Sequence, residues 1–255
     1  MTMTRKTIPA LFLLMVTFVF LFSHSPSAAE KTNCLKCHKK LTKGKFVHQA
    51  IEMGCPSCHT AIDAKTVPHK KSNALPRGLS SEQPDLCYGC HDQSMFTKTN
   101  IHPAVSMGCT GCHNPHSSKN AKLLKTKVPI LCFGCHDKAE FTKKFVHPPV
   151  ASGDCMICHS PHSTDEMALL LNKPAPVCLQ CHPNEAHGRH TPRQLPVSEQ
   201  AVGKTLEPEI QDPARPGKPF YCGSCHNPHS SDSHFLFRFK AKSSKEFCIN
   251  CHNKM

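Results

Sequence analysis

The chain has 255 residues, with 18 Cys, 20 His, 22 Pro, no Trp and a formal charge of +13. Hydrophobic residues make up 38% of it and mean hydropathy is −0.37, against about 45–50% apolar content in ordinary globular chains. That excludes an enzyme built around an aliphatic core, and the cysteine count excludes a disordered tail; disulfides, metals or covalently attached groups must supply the staples.

Taken in chain order, Arg5 and Lys6 form a short basic stretch and Ile8 to Phe22 is an almost unbroken apolar run. Ser27-Ala28-Ala29 then fits a small-x-small cleavage rule. Residues 1–29 read as a secretory signal peptide. The rival reading, an uncleaved anchor helix, needs about 20 apolar residues, and this run is shorter and meets Pro26. The mature chain is expected to start at Glu30 and to be exported to the periplasm. His24 leaves with the leader.

From Cys34 onward every cysteine falls in the string Cys-x-x-Cys-His. The nine pairs are Cys34 and Cys37, Cys55 and Cys58, Cys87 and Cys90, Cys109 and Cys112, Cys132 and Cys135, Cys155 and Cys158, Cys178 and Cys181, Cys222 and Cys225, and Cys248 and Cys251. In an exported chain 18 cysteines would suggest a disulfide framework, but this spacing does not. Half a zinc site or a redox dithiol also uses Cys-x-x-Cys, yet neither requires His directly after the second Cys. The string is the attachment signature of c-type haem. Two cysteines three apart on a tight turn form thioethers to one porphyrin, and the adjacent His reaches the iron from the proximal side. The proximal set is then His38, His59, His91, His113, His136, His159, His182, His226 and His252. Nine covalent haems would take the place of the missing core.

Ten histidines remain for the opposite, distal face. Two stretches, from Leu86 and from Leu131, repeat one order: a motif, a His-Pro, a second motif, and a Pro-His seven residues after that motif's first Cys. The repeat places His48, His102, His147 and His190 upstream of a second motif. It places His69, His116, His162 and His229 downstream of one. The ninth distal ligand is expected to be His187 rather than His234. The mature methionines are expected to fill space between haem and backbone rather than to ligate.

Residues 30–255 therefore read as one nonahaem cytochrome c domain of two-haem repeats. The units are about 34–81, 82–127, 128–173 and 174–240, with a half unit at 241–255. A Pro-rich insertion, 191–219, reads as a solvated loop, or alternatively as a docking loop. The expected fold class is a multihaem cytochrome c with little regular secondary structure and almost no strand. A few short helices are expected over the motifs and near 121–127 and 166–171, with the haems stacked as an elongated array. Two ionised propionates per haem, and loss of the leader's two cations, bring the net charge to about −7. Nucleic-acid binding, which needs a basic face and reading motifs, is excluded.

The motif pairs, with CHNPHSS from Cys112, CHSPHS from Cys158 and CHNPHSS from Cys225, resemble the doubled Cys-x-x-Cys-His multihaem cytochromes over essentially the whole mature chain. Within that family the chain is similar to the periplasmic decahaem cytochromes of porin–cytochrome conduits, and to small multihaem donors of periplasmic reductases. The resemblance implies an electron carrier working with redox protein partners: a periplasmic or inner-membrane donor, an outer-membrane or reductase acceptor, and an outer-membrane porin as housing. Nine motifs instead of ten, ending in a half unit, depart from the conduit pattern. Electron transfer in anaerobic respiration, not catalysis, is the expected function. A multihaem reductase of nitrite, hydroxylamine or a sulfur oxyanion is one alternative; it would need a haem with an open sixth position, to be sought at the ninth. An extracellular cytochrome filament is another, with distal ligands donated between subunits.

Overall fold

In each described Cys-x-x-Cys-His string the histidine N–H donates to the carbonyl of the first cysteine, closing a single helical turn. The bond is 2.9 Å for His38 to Cys34, 3.0 Å for His113 to Cys109 and 3.1 Å for His182 to Cys178. One turn is all the string needs, because residues three apart on a helix share a face. The computed structural model describes residues 33–183, 212, 215–217 and 220–250. The leader, most of the Pro-rich insertion, and His187, His190, Cys251 and His252 lie outside the described residues.

The helices are brief. They are α1 (Leu35–His38), α2 (Asp85–Tyr88), α3 (Ile130–Phe133), α4 (Pro148–Ala151), α5 (Pro174–Leu179), α6 (Cys222–Cys225) and α7 (Ser244–Cys248). Six of them form a motif turn or lead straight into one. The second, fourth and sixth motifs sit instead on 3-10 turns at Cys55–Ser57, Cys109–Gly111 and Cys155–Ile157. Gly54 and Gly108, at φ +93° and +83°, turn the chain into the first two of these, a conformation a side chain would resist.

Among the described residues strands occur only as two-residue pairs, all antiparallel. They are β1 (Phe46–Val47), β2 (Ile62–Asp63), β3 (Lys70–Lys71), β4 (Asn100–Ile101), β5 (Ser117–Ser118), β6 (Phe145–Val146), β7 (Ser163–Thr164) and β8 (Ser230–Ser231). β1 pairs with β5, β2 with β3, β4 with β7 and β6 with β8. Three of the four ladders therefore join a segment of one repeat to a segment of the next.

The expected helices near 121–127 and 166–171 are not α-helices. Each holds a 3-10 turn, Ala121–Leu123 or Met167–Leu169, broken by two successive left-handed residues. These are Lys122 and Leu123 at φ 55° and 57°, and Ala168 and Leu169 at 53° and 57°. The reversal has a use described below.

Among the described residues only Ala61 and Ala175 are buried apolar side chains. The buried polar residues are more numerous: besides Asp212 and Ser224 they are Ser117, Ser118, Ser163, Thr164, Ser230 and Ser231, the residues that follow the three Pro-His steps. Their small hydroxyls let segments cross closely while bonding backbone groups that would otherwise be orphaned. Ser230 Oγ, for example, donates to the Glu140 carbonyl at 2.8 Å and accepts from the Lys143 N–H at 3.2 Å. Larger apolar side chains such as Met53, Val67, Met107 and Phe235 are 62–86% exposed, so the polypeptide alone does not enclose a core.

Candidate functional site

The motif turns present their cysteines as thiols, with no disulfide among the described residues. Neighbouring motifs meet through these sulfurs. Cys34 lies beside Cys55, Cys87 beside Cys109, Cys132 beside Cys155 and Cys178 beside Cys222. Between these couples, Cys58 lies in electrostatic contact with Cys87, Cys112 with Cys132 and Cys158 with Cys181. Each of the first seven motifs thus lies close to the next.

The histidines pair by a second rule. Seven motif histidines each face one histidine from elsewhere in the chain, with ring centres 5.9–6.2 Å apart. The pairs are His38 with His69, His59 with His116, His91 with His48, His113 with His162, His136 with His102, His159 with His229 and His182 with His147. The planes of His48/His91, His59/His116 and His102/His136 lie within 11° of parallel.

Ladders produce this pairing. β1, β4 and β6 run directly into His48, His102 and His147, while β5, β7 and β8 start directly after His116, His162 and His229. At each junction the upstream histidine N–H donates to the downstream histidine carbonyl, at 2.8, 2.8 and 3.0 Å. The two rings of each junction then serve different motifs. His69 is placed by the β2–β3 hairpin instead.

Backbone carbonyls orient the rings. Nδ1 of His48 and His102 donates to the carbonyls of Pro115 and Pro161 at 2.9 and 3.0 Å, and Nδ1 of His69 to Thr66 at 2.8 Å. His147 bonds the Pro228 backbone in the same manner. On the motif side, Nδ1 of His59, His113, His159 and His226 donates to the carbonyls of Arg77, Lys122, Ala168 and Phe235 at 2.6–2.9 Å. Those four residues are the ones at φ 53–56°, so the left-handed turn is what aims the carbonyl at the ring. Nothing in a single sequence marks such a non-glycine position, and sequence reasoning missed it. A carbonyl only accepts, so Nδ1 carries the proton and Nε2 is left as the bare nitrogen. Burial lowers the pKa of His116, His147 and His162, and burial with the His159 charge pulls His229 down to about 4. Neutral imidazole with a free Nε2 is the metal-ligating form, and an Nδ1 bond to a carbonyl is the usual support behind a ligating ring.

Two imidazoles on opposite sides of one metal have ring centres roughly 6 Å apart, given metal–nitrogen bonds of about 2.0–2.1 Å. The observed spacing fits. Among the described residues no group of three or more His, Cys, Asp or Glu could hold a bare metal ion. Two protein ligands per site, beside a Cys pair, suit an iron whose other four positions a porphyrin supplies. His234, the rejected candidate for the ninth distal place, packs on Phe145 with ring centres 4.6 Å apart.

Comparison with known proteins agrees. The doubled CXXCH motif family matches residues 48–96, 102–141, 147–195 and 212–255, well over half of the chain. The chain belongs to the doubled CXXCH family. It is a multihaem c-type cytochrome, and its motif pairs are attachment sites for covalently bound haem c. The first three matched spans each contain one facing histidine pair, His48/His91, His102/His136 and His147/His182. The cytochrome is also 30% identical over 113 residues to the multiheme cytochrome MtrA of Shewanella baltica (strain OS185), a match that spans 41% of this chain and 30% of the relative. No helix among the described residues of the cytochrome is long and apolar enough to cross a membrane.

Proposed function

We propose that this cytochrome carries nine haems c, each between two imidazoles, and moves electrons along them without converting a substrate. The carrying observation is the set of seven histidine pairs at one spacing. With both axial positions of an iron filled, no coordination site is left for a substrate. Bound haem would supply reversible one-electron chemistry. The chain's own residues do the rest: the cysteines hold the group by thioethers, the ladders set the distal rings, and the left-handed turns lock the proximal ones. The assignment is His38 with His69, His91 with His48, His59 with His116, His136 with His102, His113 with His162, His182 with His147 and His159 with His229. His226 and His252 then draw on His187 and His190. The closeness of each of the first seven motifs to the next supports conduction from the first motif to the eighth. Seven pairs made inside one chain also weigh against a filament that borrows ligands from a neighbour.

The leader read from residues 1–29 supports work in the periplasm. Redox proteins would stand on both sides: an inner-membrane or periplasmic donor, and an outer-membrane or reductase acceptor. The likeness to MtrA supports a conduit within an outer-membrane porin. Mass spectrometry of the exported protein should give residues 30–255 plus nine haems, and its ferric EPR spectrum should be purely low-spin. A smaller haem count, or a high-spin ferric signal marking an open iron, would refute the reading.

A further inference from the structure

Charge sets the first axial pair apart. His38 is followed by Lys39 and Lys40, and His69 by Lys70 and Lys71; no other axial histidine among the described residues is followed by a lysine. The fold brings the two doublets to one centre, since the His38 and His69 rings lie 5.9 Å apart. Lys39 and Lys40 lie in the turn after α1, while Lys70 and Lys71 are β3 itself, with Lys70 opposite Asp63. All four are exposed, as are Lys36 and Lys43 beside them.

The surroundings do not cancel this charge. Residues 34–81 hold nine Lys and Arg against two Asp and Glu, whereas residues 82–173 hold nine against eight. Among the described residues the four doublet lysines form no ion pair. The Asp63 carboxylate already accepts from the Lys65 N–H and the Thr66 hydroxyl. Propionates on the first two haems would leave this end positive and the middle of the chain negative. Such an asymmetric field steers an oppositely charged body onto one place.

We propose that the His38/His69 centre is the port where the cytochrome exchanges electrons with a small soluble redox protein bearing an acidic face. Lys39, Lys40, Lys70 and Lys71 are its docking collar. The inference rests on the electron-transfer reading above. Because the lysines ring a redox centre, they fit a redox protein better than a lipid surface.

The test uses the holoprotein and its K39Q/K40Q/K70Q/K71Q variant. Electron transfer from reduced flavodoxin, a strongly acidic one-electron carrier, is followed by stopped flow. Ionic strengths of about 0.01 M and 0.15 M change the screening length from about 30 Å to about 8 Å. The wild-type rate constant should fall with salt. The variant should be about tenfold slower at low salt and nearly salt-independent, with unchanged haem content and redox titration. A fully haem-loaded variant with wild-type rate and salt slope overturns the proposal. So does an equal loss in K98Q/K119Q/K127Q/K138Q, which removes four exposed lysines elsewhere. Collar-dependent binding to anionic phospholipid vesicles, with the flavodoxin rate unchanged, would assign the collar to a membrane and overturn it too. Failure of the electron-transfer reading would show separately, as missing or high-spin haem in the wild type.

Discussion

His48 and His116 are joined at the backbone and divided at the side chain. The His48 N–H donates to the His116 carbonyl at 2.8 Å, yet the His48 ring faces His91 and the His116 ring faces His59, each at 6.1 Å. His102 with His162, and His147 with His229, repeat the arrangement. One ladder therefore sets the ring that faces each of two successive motifs.

His116→Met tests this. Thioether formation does not involve the distal ligand, so haem content should stay the same. A thioether sulfur in place of imidazole should raise one potential by a few tenths of a volt, within the roughly 0.8 V span open to haem proteins. Spectroelectrochemical titration should also detect a smaller shift at the His91 centre. A titration identical to wild type would remove His116 from the ligand set.

Ser230→Ala should destabilise the protein. Ser230 is 0% exposed and bridges Glu140 to Lys143 through part-buried bonds, so its loss costs about 1 kcal/mol. Thermal unfolding should show a lower midpoint, and the potential of the centre served by His229 should move. Ser163→Ala, the matching change one ladder earlier, should behave alike.

The left-handed residues give a pair of opposite expectations. Lys122 holds φ 55°, which costs a side-chain-bearing residue about 1–2 kcal/mol. Lys122→Gly keeps the carbonyl that accepts from His113 and should stabilise by about 1 kcal/mol or less, once the greater freedom of unfolded glycine is counted. Lys122→Val should destabilise by more than that and broaden the spectrum of the His113 centre. Equal melting midpoints for both variants would contradict the strained turn.

Asp212 is 1% exposed and pairs with Arg215 Nε at 2.5 Å, and Arg215 also donates to Ser224 Oγ inside the eighth motif at 3.1 Å. Asp212→Ala leaves a half-buried guanidinium without this carboxylate. The expected cost is about 3–5 kcal/mol, read as a lower denaturation midpoint with increased reducibility or loss of the haem at Cys222 and Cys225. Wild-type stability would show that the contact has no structural weight.

What the sequence alone determines here is everything local. A Cys-x-x-Cys-His string places two sulfurs and a ring within one helical turn, so haem attachment and the low secondary-structure content follow from spacing. Several of the histidines that face a motif histidine are legible too, because Pro-His steps recur at a fixed distance from a motif. Which ring faces which motif is not legible: His91 pairs back to His48, whereas His59 reaches forward to His116. That choice belongs to two-residue ladders between repeats, whose Ser and Thr residues carry no pattern that singles out a partner. The turns at Lys122 and Ala168 were hidden for the same reason. Their left-handed backbone exists to aim a carbonyl at an imidazole, a demand that only the assembled neighbours impose.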